Sequence, residues 1–279
     1  PDGPVVYVGS YDKSLYAVNT ADGSKKWAFP TGPGRSGRAG VRSSPAVSPD
    51  GAVVYVGSDD ESLHAVNTAD GSKKWAFKTG GWVRSSPTVS PDGAVVYVGS
   101  DDESLHAVNT ADGSKKWAFS AGGRVGSSPT LSPDGAVVYV GNFNGSLDAV
   151  NATDGSKKWS FQTGSQVRSS PTLSPDGTVV YVGSYDKSLY AINTADGSKK
   201  WAFEAGTGVD SSPALSPDGA VVYVGNLDYS LYAVNTADGT KKWAFRTGWY
   251  VASSPTVSPD GAVVYVGSYD QNLYAVNAY

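Results

Sequence analysis

The chain has 279 residues, with 22 Lys and Arg against 26 Asp and Glu, a net charge of −4. That balance gives no bulk basic footprint for nucleic acid, and no apolar run approaches the ~18 residues of a membrane-spanning helix. Cys and Met are both absent, which excludes disulfides, thiolate metal sites and cysteine nucleophiles.

The first element is V-V-Y-V-G at 5–9, and it returns throughout the chain. Its terminal glycine falls at Gly9, Gly57, Gly99, Gly141, Gly183, Gly225 and Gly267, at intervals of 48 and then 42 residues. A period of this length marks a propeller, a solenoid or an array. Residues 83–121 show one unit whole. Segment a is Val83 to Val89, segment b Val95 to Gly99, segment c Leu105 to Asn109 and segment d Lys116 to Phe119. Ser90-Pro91-Asp92-Gly93 separates a from b, and Ala111-Asp112-Gly113-Ser114 separates c from d. Both sets carry turn chemistry: a fixed φ at Pro, a local acceptor at Asp and a positive φ at Gly. No window holds the i, i+3, i+4 apolar pattern of a helix. Val96 and Val98 point one way and Val95 and Tyr97 the other, so both sheet faces are buried. The repeated Trp (Trp27, Trp75, Trp117, Trp159, Trp201, Trp243) supplies a plate for packing between repeats.

Four short strands per repeat predict an all-β fold, a β-propeller of four-stranded antiparallel blades forming one domain over 1–279. Residues 1–29 supply b, c and d of a first blade, five complete blades follow, and 251–279 supply a, b and c of a last one. Seven blades with the first and last incomplete is the expected count; eight with more truncation is second. Starting at Pro1 within a repeat and without Met, the chain reads as a fragment, a processed product or a designed sequence. The open blade edges invite self-association. One loop breaks the period: Thr31 to Val41, six residues longer than its counterparts and made basic by Arg35 and Arg38. It is read as a solvated Gly-rich insertion, with an anion or partner contact as the sharper alternative.

The unit resembles the PQQ-like β-propeller repeat of quinoprotein alcohol dehydrogenases and outer-membrane assembly lipoproteins. The residues that carry the resemblance are Ser85-Ser86-Pro87, Tyr97 to Ser100, Leu105 to Asn109, and Asp112-Gly113 with Trp117; the family's usual T-G is D-G here. The resemblance implies a periplasmic or extracellular setting. The quinone enzymes use eight blades, a vicinal disulfide and Ca²⁺ held off the repeat pattern. A chain without Cys fits that poorly, so PQQ-dependent dehydrogenase activity is the least favoured reading and no cofactor is expected.

The repeats differ from one another mainly in the d–a connections and at the head of strand c. Arg42, Arg84, Arg168 and Asp210 precede S-S-P and are expected at the mouth of a central channel. Trp82, Arg124, Trp249 and Tyr250 stand in the d–a connections. Arg beside aromatics suits carboxylates, sugars or peptide segments. The expectation is therefore a non-catalytic scaffold that binds a protein or a small polar ligand through the end carrying the d–a and b–c loops. The alternative is drift in a designed or recently amplified propeller without a selected ligand. His64 and His106 occupy equivalent positions and read as structural rather than metal ligands. The aspartates of the b–c turns, such as Asp60 and Asp102, read as turn residues rather than Ca²⁺ ligands. Asn144 and Asn151 begin glycosylation sequons that matter only in a eukaryotic secretory pathway.

Overall fold

The structure is a computed structural model that describes residues 4–34 and 40–279; Arg35 and Arg38 of the long loop lie outside the described residues. The fold is an all-β propeller of seven antiparallel sheets, five of four strands and two of three. Sheet 1 holds b, c and d, sheets 2 to 6 hold a to d in sequential order, and sheet 7 holds a, b and c. The incomplete sheets are therefore the first and the last. The chain falls into two compact units, 1–135 with 152–156, and 136–151 with 157–279.

In sheet 3, strand b is Val95–Gly99, strand c Ser104–Asn109 and strand d Lys115–Ser120. Strand a corrects the sequence reading: it is Thr88–Val89, two residues rather than seven. The S-S-P segment cannot form a ladder, because Pro87 has no N–H. A side chain substitutes for the missing pairing, as the Gly99 N–H donates to Ser85 Oγ at 3.1 Å. The equivalent bond in sheet 2 runs from Gly57 N–H to Ser43 Oγ at 2.8 Å.

The core lies between successive sheets. Val53, Tyr55, Leu63, Ala65 and Trp75 of sheet 2 pack on Val83, Val96, Val98 and Val108 of sheet 3. Sheets 5 and 6 repeat the arrangement, with Tyr181, Leu189 and Trp201 against Val222, Val224 and Val234. Each Trp also ties to the next sheet through its indole N–H, Trp75 to Thr110 O and Trp201 to Thr236 O, both at 2.9 Å.

Candidate functional site

In sheets 2, 3, 5, 6 and 7 the b–c turn and the preceding d–a connection meet at one end, held together by the turn aspartate. Asp102 Oδ2 accepts the Gly80 N–H at 2.8 Å and His106 Nε2 at 2.9 Å, while Oδ1 accepts the Ser104 N–H at 3.0 Å. Burial pushes this carboxyl up, but the His106 and Gly80 hydrogen bonds outweigh it and hold Asp102 at about 2. Asp60 has the same partners in sheet 2, His64 Nε2 at 2.8 Å and the Gly32 N–H at 2.7 Å. Elsewhere Tyr fills the histidine's place: Tyr190 O–H donates to Asp186 at 2.8 Å and Tyr274 O–H to Asp270 at 2.8 Å. The histidines are thus braces for a turn. Each keeps a buried Nδ1 without a hydrogen-bond partner and meets a Phe edge, Phe29 on His64 and Phe77 on His106. Among the described residues no three His, Cys, Asp or Glu side chains are arranged to hold a metal ion.

Sheet 4 carries a different brace. Its strand-c head is Asp148, whose Oδ2 accepts Asn142 Nδ2 at 3.0 Å and Ser146 Oγ at 2.8 Å. Burial pushes the Asp148 carboxyl up, against hydrogen bonds from Ser160 and Ser146. Ser160 pairs with Asp148 across the strands and stands where the other repeats have Ala. Asp148 and Ser160 are peculiar to this sheet, whereas Asn142 has a counterpart in Asn226 of sheet 6.

The outermost residues at this end pair across repeats. In the first unit Asp59 is buried and takes two arginines, Arg42 Nε at 3.0 Å and Arg84 Nε at 3.2 Å. Arg84 also reaches Asp101 at 3.7 Å and lies 4.0 Å over the Trp82 ring, while Arg42 lies 4.8 Å over Tyr11. Burial pushes the Asp101 carboxyl up, opposed by the charges of Arg84 and Arg124. Arg124 is itself exposed. In the second unit Arg168 packs over Phe143 at 4.8 Å and Tyr185 at 4.6 Å and donates to Tyr185 Oη at 3.1 Å. Burial also pushes Asp210 up, with Arg168 and the Tyr185 hydroxyl opposing.

A rule emerges within each unit. The residue before S-S-P lies between the b–c turn residues of its own sheet and the one before it. Tyr11, Asp59, Asp101, Phe143 and Tyr185 occupy that turn position, two residues past the strand-b glycine. The sequence reading missed them, although their variation between repeats was visible. The structure thus joins Arg42, Trp82 and Arg84 in one network, with Arg124 near its edge, and Arg168 with Asp210 in another.

Trp249 and Tyr250 belong to a third group. They are 51% and 40% exposed, and Tyr269 beside them is 67% exposed. Tyr250 contacts Trp249, Tyr269 and Tyr229, with centroids 6.0, 6.4 and 5.3 Å away. Arg246 lies 5.8 Å over Tyr229. Unlike Trp82, the Trp249 ring has no arginine stacked on it among the described residues.

The opposite ends of the sheets are not blank. A cleft of about 280 Å³ is lined by Pro175, Asp176, Tyr181, Lys200, Asp218 and Thr236. Equivalent clefts of about 240 and 200 Å³ adjoin Pro91 and Pro49.

The family profile described as outer membrane protein assembly factor BamB matches residues 11–172 and 144–279. The chain belongs to that PQQ-repeat family. The match spans the sheets that carry all eight residues singled out from the sequence. No curated protein matches the chain.

Proposed function

We propose that the chain is a non-catalytic scaffold that docks a partner polypeptide through the sheet ends carrying the d–a and b–c loops. The observation that carries the reading is the exposed cluster of Trp249, Tyr250 and Tyr269. Large aromatics with little conformational freedom are the usual anchors of a protein interface. The neighbouring acids and arginines support a binding role over chemistry. Asp59, Asp101 and Asp210 each face an arginine, so these acids are engaged by cations at this end of the sheets. The family's description adds a setting, protein assembly at the outer membrane, and with it a periplasmic location.

Hydrogen–deuterium exchange with an unfolded outer-membrane β-barrel polypeptide tests this reading. Protection over 247–250 and 268–271 is expected. Protection confined to the S-P-D-G turns, or none, overturns it. Those turns carry a second reading, a small polar ligand, favoured by the equivalent clefts around Asp92, Lys116 and Asp134, and around Asp176, Lys200 and Asp218.

A further inference from the structure

The S-P-D-G ends of the sheets carry the same kind of cleft three times. In the second unit it lies between sheets 5 and 6, with a volume of about 280 Å³, and takes Asp176, Tyr181 and Lys200 from one sheet and Asp218 and Thr236 from the next. In the first unit Asp50, Lys74 and Asp92 line a cleft of about 200 Å³, and Asp92, Lys116 and Asp134 line one of about 240 Å³. The walls are fixed by packing. The proline of one turn lies against the glycine of the next, so a Cβ at Gly219 would sit 2.8 Å from Pro175 Cδ and one at Gly135 3.1 Å from Pro91 Cδ. A preformed site of this size, below the ~300–1,000 Å³ of drug-sized pockets, suits one small unit.

Each cleft offers both acceptors and donors. The carboxylates of Asp50, Asp92 and Asp218 accept a serine hydroxyl and a backbone N–H at Oδ1, which leaves Oδ2 without a hydrogen bond among the described residues. Those bonds, the serine's foremost, hold the three carboxyls below their usual range, so they are ionised at neutral pH. The donors are an exposed lysine and a buried tyrosine. Tyr97 is 2% exposed, yet its hydroxyl reaches only Ala152 O, at 3.4 Å, well outside the ~2.5–3.0 Å of an O–H···O bond. Burial pushes this hydroxyl up, so it stays a protonated donor. A cation entering the cleft meets the lysine, and an anion meets two carboxylates. A neutral hydroxyl uses both signs, because it donates to a carboxylate and accepts from an ammonium or a phenol.

We infer that these clefts bind a neutral polyhydroxylated ligand, one sugar unit to a cleft. Its hydroxyls donate to Oδ2 of Asp50, Asp92 or Asp218 and accept from Lys74, Lys116 or Lys200 and from the tyrosine beneath. This ligand class rests on the small-ligand reading of the S-P-D-G ends and is separate from polypeptide docking at the other end.

Saturation-transfer difference NMR on the 279-residue chain tests the inference. The probes are D-glucose, D-galactose, D-mannose and N-acetyl-D-glucosamine to about 50 mM, enough to saturate a site with Kd of ~1 mM, with spermidine and citrate as charged comparisons. At least one sugar should give a saturable signal, and neither charged probe should. Lys74→Ala, Lys116→Ala and Lys200→Ala combined should remove more than half of the sugar signal. The melting temperature should hold, because all three lysines are exposed. Silence from every probe overturns both the inference and the small-ligand reading beneath it. Binding of spermidine or citrate in place of the sugars overturns the inference alone, and so does a sugar signal that the triple variant keeps in full.

Discussion

Trp75 of one sheet lies directly against Gly113 of the next: a Cβ built on Gly113 would sit 2.7 Å from the indole ring. Gly113 also has φ of 75°, and the Trp75 indole donates to Thr110 O at 2.9 Å. The D-G of every internal c–d turn therefore does two things. It closes a turn that needs the left-handed region, and it leaves room for the indole that joins two sheets. Gly113→Ala incurs both the conformational cost of ~1 kcal/mol and a clash against a well-packed ring. Its destabilisation should reach about 2–4 kcal/mol, against ~3–5 kcal/mol for Trp75→Ala. Denaturant unfolding followed by far-UV circular dichroism measures both. The paired variant should lose less than the sum, because removing the indole also removes the clash that a Cβ at position 113 makes with it.

The b–c turns hold non-glycine residues in the left-handed region, Glu103 at φ 69° and Lys187 at φ 80°, whereas sheet 4 has Gly145 at φ 89°. Such residues carry a strain of ~1 kcal/mol or more. Glu103→Gly should therefore be neutral to stabilising, and Glu103→Val destabilising by over ~1 kcal/mol, in the same unfolding assay.

Acid titration separates the two kinds of brace. Asp102 is held at about 2, below the ~3.9 of an unfolded Asp. A depressed folded value gives stability that is fully present above the unfolded value and is lost as pH falls from ~4 toward 2. Asp102→Asn should remove that loss. His106→Tyr should retain it, since Tyr makes the same bond to Asp186 and Asp270. Asp148 has the opposite sign: burial raises its folded value. Asp148→Asn should raise the melting temperature at pH 7, with a gain that shrinks as pH falls toward the ordinary carboxyl range.

Asp59 joins two arginines while buried itself. Asp59→Ala should cost about 1–3 kcal/mol, because it strands the guanidinium groups that pack on Tyr11 and Trp82. Arg42→Ala should cost less, since Arg84 still holds the carboxylate. Thermal melts of the two variants at low and high salt distinguish these losses.

What was legible in the sequence follows from what a period exposes. Strands b, c and d, both turns, and the roles of Trp75 and Val96 come from residues whose partners lie one repeat away in identical text. Strand a was overextended, because alternation from Val83 to Val89 hides that Pro87 cannot donate and that Ser85 bonds sideways. The pairing of Arg42 with Asp59, or of Arg168 with Tyr185, was not legible. Its members are 17 residues apart in irregular segments, and Asp59 looks like one more turn aspartate until Tyr11 and Phe143 are set beside it. Asp148 with Ser160 was hidden in the same way, in two single-letter departures that only strand register brings together.

The docking reading stands on Trp249, Tyr250 and Tyr269, and a titration with fluorescein-labelled peptides from outer-membrane β-strands tests it most directly. Anisotropy should show saturable binding to the wild type. Trp249→Ala combined with Tyr269→Ser should weaken that binding by about tenfold or more, with the melting temperature unchanged because both side chains are exposed. Lys200→Ala, at the opposite end of its sheet, should bind like the wild type. A wild type that never saturates, or a double variant that binds equally well, would contradict the assignment.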